Sequence, residues 1–342
     1  MSKCLCVGTR WANAGVAYRC AVIGLLAIAV LLPLAADAQR SGLPPRIAFL
    51  SSDAACAATA GYPAFLEGLR ALGYREGENV SLECRSAEGK YERLDGLAAE
   101  LIKREPAVLV AAAAPASLAS KRATRTIPIV SVYAADPLGL GLVSSLARPD
   151  GNITGVSALA ADYAAKSLQI LKELAPRTTR VGVLGHKANP TYAIYQRELE
   201  ATERTLALTL DFVGIESSAD IEPALATMAR RKAEAILVMH QPLMFEQRQN
   251  IVAGVARLRL PAMYGSREAV EAGGLVSYAV SVGHTFRRAA SLVDKLLHGT
   301  KTTDIPFEQP TNFELALNLK AAEALGLKVP TSLRVRADAL IE

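Results

Sequence analysis

One carboxylate stands where binding chemistry is simplest to build. Asp136 follows the apolar run Ile129–Val132 in the stretch Ile129–Gly155 (IVSVYAADPLGLGLVSSLARPDGNITG), so it falls where a buried parallel strand should end. In open α/β sheets, ligands bind outside the carboxyl ends of the strands, and a carboxylate there can pair with an ammonium group. On that reading Asp136→Ala weakens binding well over tenfold in a dry cleft. Its alternative role is to cap the short apolar helix expected from Gly139. Ala114, Ala116 and Ser117 open a helix straight after another apolar strand, where backbone N–H groups suit a carboxylate. Ser51 and Ser52 close the first strand and can either meet a ligand or serve the turn. Asn189, Gln241 and Tyr264 follow three later strands, and Tyr264 can stack on a flat ligand. Tyr133 and Tyr192 are weaker aromatic candidates. His186 and His240 also fall at strand ends, where a lone histidine is more often a satisfied structural residue.

No constellation for catalysis accompanies these residues. The chain has no serine elbow, no His-Glu-x-x-His and no Walker loop, and Gly182–Gly185 lacks the third glycine and downstream acid of a dinucleotide fingerprint. An acid/base enzyme would need a carboxylate pair such as Asp136 with Glu268. A racemase would want a base on each half, whereas Cys56 and Cys84 both fall in the first. The expectation is a binding protein, not an enzyme, without cofactor or metal. A sensor that docks on a receptor would use the same cleft.

These positions matter because of the elements that carry them. Strand patterns, apolar at Arg46–Leu50, Ala107–Ala112 and Ile127–Val132 and alternating at Asn79–Cys84, are interleaved with helical patterns from Gly61 to Gly73 and over Tyr91–Arg104. After Arg148-Pro149-Asp150-Gly151-Asn152 the alternation restarts. Helices are predicted over Tyr163–Leu174, Thr191–Leu206, Ile221–Arg231 and Phe245–Leu258, and strands over Arg180–Leu184, Thr209–Ile215, Ala235–Met239 and Pro261–Tyr264. A bendable strand at Gly273–Tyr278, a helix over Phe286–Leu297, a segment Phe307–Leu317 and a last helix Asn318–Leu325 finish the chain. Such alternation means parallel βαβ units, here in two α/β lobes. Lobe 1 is expected to comprise residues 46–152 and 279–308, and lobe 2 residues 153–278 and 309–342. Gly151, Asn152, Gly273 and Gly274 are expected to be hinge residues, because glycine tolerates the dihedral changes that bending requires.

The ends and the totals place the chain. Arg10 and Arg19 precede the apolar run Cys20–Ala36, and Ala36-Asp37-Ala38 supplies a small-x-small cleavage site. Residues 1–38 therefore read as a signal peptide cut near Ala38, since the run falls short of the about 20 residues a membrane span needs. Of 342 residues, 51% are apolar and the net charge is +5, partly from the leader. No Lys/Arg cluster stands out, so nucleic-acid binding is not expected. Cys4, Cys6 and Cys20 leave with the leader, and Cys56 and Cys84 enter an oxidising compartment. They can form a disulfide between neighbouring strands, stabilising by roughly 3 kcal/mol in the chain-entropy model, or remain two separate thiols.

Several stretches together carry a family resemblance. They are Leu72-Gly73-Tyr74-x-Glu76-Gly77-x-Asn79, Ala87-Glu88-Gly89-Lys90-Tyr91-x-Arg93-Leu94, Asp136-Pro137 through Thr154-Gly155, Glu271–Tyr278 and Glu308-Gln309-Pro310-Thr311-x-Phe313-Glu314-Leu315. In this order and spacing the chain resembles ABC-transporter substrate-binding proteins related to tryptophan and aromatic amino-acid uptake. The resemblance implies the type I periplasmic-binding-protein fold, with two flavodoxin-like, doubly wound parallel-sheet lobes joined by a three-segment hinge. It further implies a periplasmic monomer that closes on a small polar solute, an amino acid by analogy, and hands it to an ABC permease. Ala113-Ala114-Pro115-Ala116 lacks the threonine hydroxyl that relatives often carry in this loop, and Ser277-Tyr278-Ala279 replaces their Ser-Tyr-Gly.

Overall fold

Four of the five strands of the first sheet are short, mostly apolar runs buried along their length, the pattern of a parallel sheet covered by helices, and the fifth, Ser81–Ser86, is a half-buried edge. The computed structural model describes residues 44–342 except 53–54, 57–58, 60, 159–162 and 311–312. The expected signal peptide and its cleavage point near Ala38 lie outside the described residues. In the first lobe β1 (Arg46–Ser51) leads to α1 (Gly61–Ala71), β2 (Ser81–Ser86), α2 (Leu94–Ile102), β3 (Val108–Ala112), α3 (Ala113–Ala123), β4 (Ile129–Ala134) and β5 (Ile153–Ser157). The strands are all parallel in the order β2-β1-β3-β4-β5, the flavodoxin-like order that opens a crevice beside β1 and β3.

The second lobe repeats this plan. It runs α4 (Tyr163–Leu174), β6 (Arg180–His186), α5 (Tyr192–Leu206), β7 (Thr209–Ile215), α6 (Ile221–Arg230), β8 (Ala235–Val238), α7 (Pro242–Glu246), α8 (Arg248–Leu258), β9 (Ala262–Tyr264), α9 (Arg267–Glu271) and β10 (Val276–Val280). The chain then forms α10 (Val282–Leu297), β11 (Phe313–Asn318), α11 (Leu319–Ala324), α12 (Thr331–Arg336) and β12 (Ala339–Ile341). The sheet order is β12-β11-β10-β9-β8-β6-β7, so β7-β6-β8-β9-β10 reproduces the first lobe's order, and an antiparallel β11 extends it. Helix α10 packs back on the first lobe, where Phe286, Ala289 and Val293 share a buried cluster with Phe49 and Phe65. Gly68 permits the close approach of α1 and α10, since a Cβ there would sit 2.8 Å from that of Ala290.

The chain passes between the sheets three times: after Ser157, after Val280, and between Glu308 and Phe313. Glu308 runs alongside Val156. Its N–H donates to the Gly155 carbonyl at 2.9 Å and its carbonyl accepts from the Ser157 N–H at 2.8 Å. Its carboxylate also takes two bonds of 2.7 Å from the Arg288 guanidinium on α10.

These passages correct several expectations. Ile153–Ser157, placed by sequence in lobe 2, pairs with β4 in the first sheet. Asn152 Nδ2 donates to the Thr124 and Ile127 carbonyls at 3.3 and 2.6 Å, which brings the chain back beside the start of β4. Gly151 and Asn152 are therefore a turn within one lobe, not a hinge. Gly273 and Gly274 likewise join α9 to β10 within the second lobe, with Gly273 at φ +107° ending the helix. The helix expected from Gly139 is a series of turns, and the one expected over Phe245–Leu258 breaks at Gln247. Helix α12 and strand β12 extend the lobe beyond the last helix expected. Cys56 and Cys84 form a disulfide, with Cα atoms 6.4 Å apart.

Candidate ligand-binding cleft

Strand ends from both lobes meet around a cavity of about 350 Å³, small within the roughly 300–1,000 Å³ range of ligand sites. On the first-lobe side, α3 starts directly from β3, and Ala112, Ala113 and Ala114 line the cavity. Four N–H groups of a helix start lack intrahelical acceptors. Here Pro115 has none to offer, and the Ala116 N–H is taken by Ser52 Oγ at 3.0 Å. The Ala113 N–H continues the β3–β4 ladder, in which Ala112 pairs with Val132, so the Ala114 N–H is the one left at the positive end of the helix. Ala113 holds φ +69° and Tyr133 φ +65°, conformations costly for residues with a Cβ and concentrated at functional sites. Tyr133 sits at a register shift in β4, and its hydroxyl donates to the Val280 carbonyl at 2.9 Å. Its ring stacks with Phe286 (centroids 6.4 Å apart), which in turn lies 6.1 Å from Phe49. The result is an aromatic wall.

The second-lobe side is a network of side chains. Asn189 Oδ1 accepts from the Thr191 N–H and hydroxyl at 2.9 and 2.8 Å. Gln241 accepts from the His186 N–H and donates to the His186 carbonyl and to Thr191 Oγ1, both at 3.4 Å. Asn189 Nδ2 reaches across to the Tyr91 hydroxyl of the first lobe at 3.2 Å, where the Tyr91 and His186 rings lie 5.1 Å apart. Burial holds the His186 imidazole below its ordinary range. Glu246, Gln247 and Arg248 enter the cavity at the α7–α8 break, and Arg248 lies 4.8 Å over the Phe245 ring. His240 follows β8, with its ring 4.8 Å from that of Tyr133.

Sequence reasoning placed Ser51, Ala114, Asn189 and Gln241 at the strand ends, and all four line the cavity. The other five do not. Ser52 braces α3, donating to the Ala112 carbonyl at 3.0 Å as it accepts from Ala116. Ala116 is fully buried behind it. Ser117 is held internally by the Ala113 carbonyl (2.9 Å) and Ser131 Oγ (2.7 Å). Asp136 Oδ1 accepts from the Gly139 N–H at 2.9 Å, so the carboxylate closes its own turn. A Cβ at residue 139 would fall 2.1 Å from Asp136 Oδ2. Tyr264 packs among core residues behind β8. Reasoning from strand ends missed the aromatic wall of Phe49 and Phe286, and the Glu246–Arg248 break. The signal for the break was only Pro242 at the start of a helix. Among the described residues no group of three or more His, Cys, Asp or Glu could hold a metal ion, and no helix is long and apolar enough to cross a membrane.

Two lobes of matching strand order, three passages between them and a cavity at the strand ends define a type I periplasmic-binding-protein fold. The chain belongs to the ABC transporter substrate binding protein family, whose model matches residues 47–341. It is thus a substrate-binding component of the ABC-transporter type. A tyrosine-binding protein of Clostridioides difficile is 24% identical over 267 residues, covering 77% of this chain and 76% of that protein. Two solved structures superpose with a TM-score of 0.82, each covering 87% of this chain and all of the other. One is a conserved domain protein from Vibrio cholerae at 24% identity. The other is an ABC domain from Streptococcus pneumonia in complex with L-Trp, at 23% identity.

Proposed function

We propose that this protein captures an aromatic amino acid in the interlobe cleft and delivers it to an ABC permease. The observation that carries this is the meeting of three groups in one small cavity: the α3 start, the aromatic wall and the Glu246 carboxylate. The Ala114 N–H at the positive start of α3 suits an α-carboxylate. Glu246 takes the ammonium role that sequence gave to Asp136, and Phe49, Tyr133 and Phe286 offer a face for the side chain. The tyrosine-binding relative and the L-Trp complex support the same cargo class. The protein acts as an exported periplasmic monomer, released from its leader near Ala38, and performs no catalysis. Contacts made to both lobes at once favour the closed population, which presents the permease with a surface the empty form lacks.

Isothermal calorimetry of the mature protein against the twenty amino acids tests the cargo. Micromolar or tighter binding of L-Tyr or L-Trp, with glycine and the D-enantiomers at least tenfold weaker, is expected. Failure of all aromatic amino acids to bind overturns the reading.

A further inference from the structure

We infer that His240 is the specificity-determining residue of the cleft, its Nε2 accepting a hydrogen bond from an N–H or O–H carried by the ligand's ring. The inference rests on the amino-acid reading above and narrows it, from aromatic amino acids to those bearing a ring donor.

The other ring nitrogen fixes the tautomer. His240 Nδ1 is hydrogen-bonded to the Gly265 carbonyl. A carbonyl oxygen only accepts, so Nδ1 carries the proton and Nε2 keeps its lone pair. The bond is set by backbone, because the ends of β8 and β9 approach closely: a Cβ on Gly265 would lie 2.7 Å from His240 Cα. Burial lowers the imidazole to about 4, so the acceptor survives throughout the physiological range. The ring lines the cavity and lies against Tyr133, on the side walled by Phe49 and Phe286. Neighbouring polar groups already have partners: the Tyr133 hydroxyl donates to Val280, and Asn189, Thr191 and Gln241 bond to one another. Nε2 therefore offers an acceptor at the aromatic end of the cleft. A ligand ring with only C–H edges covers that lone pair without satisfying it, the situation in which sites discriminate most strongly.

The test is a cycle that changes ligand and protein in turn. Calorimetry compares L-Tyr, L-Trp and L-Phe on wild type, His240→Phe and His240→Gln. On wild type, which needs no variant to fold, L-Tyr or L-Trp is expected to bind at least tenfold tighter than L-Phe. His240→Phe is expected to erase that ratio by weakening the donor-bearing ligands at least tenfold while L-Phe stays within threefold. His240→Gln, whose amide can donate to Gly265 and still present an oxygen, is expected to keep part of it. Equal binding of all three ligands to wild type, or equal losses for all three in His240→Phe, overturns the inference and leaves the amino-acid reading standing. Indole and toluene separate the two further. If no amino acid binds but indole binds over toluene in a His240-dependent way, the cargo reading falls and the role of His240 stands. If no probe binds, both fall.

Discussion

The two walls of the cleft are built from different materials. The first lobe presents mostly backbone and hydrocarbon: one helix-start N–H group, three alanines and a row of rings, with the Ser51 and Thr59 hydroxyls beside them. The second presents side chains that hold one another, with Asn189, Thr191, Gln241 and His186 bonded in sequence before any ligand arrives. A backbone wall can be shifted only by moving a helix, so its faults register as lost stability. A side-chain wall can be edited one atom at a time, so its faults register as altered recognition. On the proposed reading lobe 1 takes the α-carboxylate and the face of the ring, while lobe 2 takes the ammonium and, through His240, chooses among rings.

The sharpest break in this comparison is on the first lobe. The disulfide closes a loop of 28 residues and carries Thr59, which lines the cavity. Removing it with Cys56→Ser and Cys84→Ser is expected to cost roughly 3–4 kcal/mol in the chain-entropy model, read as a lower urea midpoint with ligand preference unchanged. A change in preference would contradict the division of labour. On the second lobe, Glu246→Gln is expected to weaken L-Trp or L-Tyr by about 10- to 100-fold, the range for a charge-assisted bond in a desolvated site, with the melting temperature held within about 2 °C. Ser52→Ala returns to the first lobe and strands the buried Ala116 N–H. The expected loss is about 1–2 kcal/mol of stability, and a specificity change without destabilisation would count against the scheme. Asp136→Ala should cost about 1 kcal/mol as a lost turn bond and leave calorimetric affinity within about twofold.

The smallest expected effect concerns Glu198 on α5. Burial, and secondarily the Asp136 charge from the opposite lobe, pushes its carboxyl up to about 7 from 4.5, and its Oε2 is buried without a hydrogen-bond partner. A raised carboxyl binds its proton more tightly when folded. Its contribution is complete below pH 4.5 and is lost as pH rises toward 7. Glu198→Gln is expected to flatten that slope and raise the melting temperature at pH 8 by about 1–2 °C. An unchanged pH profile in scanning calorimetry removes Glu198 from this role.

Much of the fold could be read from residue order, because each buried strand is an apolar run punctuated by glycine, proline or a helix start. Arg46–Leu50 and Val108–Ala112 show this, and the positions of Ser51, Ala114, Asn189 and Gln241 followed from them. The misses have physical causes. Phe49 and Phe286 belong to strand and helix patterns that look like core, and only tertiary packing turns one edge of each toward a cavity. Phe245–Leu258 keeps helical spacing across Gln247, so the break that brings Glu246 and Arg248 inward leaves no mark on periodicity. Pro149–Asn152 has the composition of a linker. Whether it crosses between lobes or doubles back depends on where one amide finds its carbonyls, and Asn152 finds them beside β4. Asp136 was misread because a strand-end carboxylate satisfied by its own turn has the same sequence as one that waits for a ligand.

The grip of Arg288 on Glu308 also bears on how the molecule is recognised from outside. Both partners lie on the first lobe, Arg288 on α10 and Glu308 beside β5, so the pair fixes the point from which the third connector leaves for the second sheet. If the lobes close on cargo as proposed, that root stays with the first lobe, and a permease reading the rims would meet it as a constant landmark.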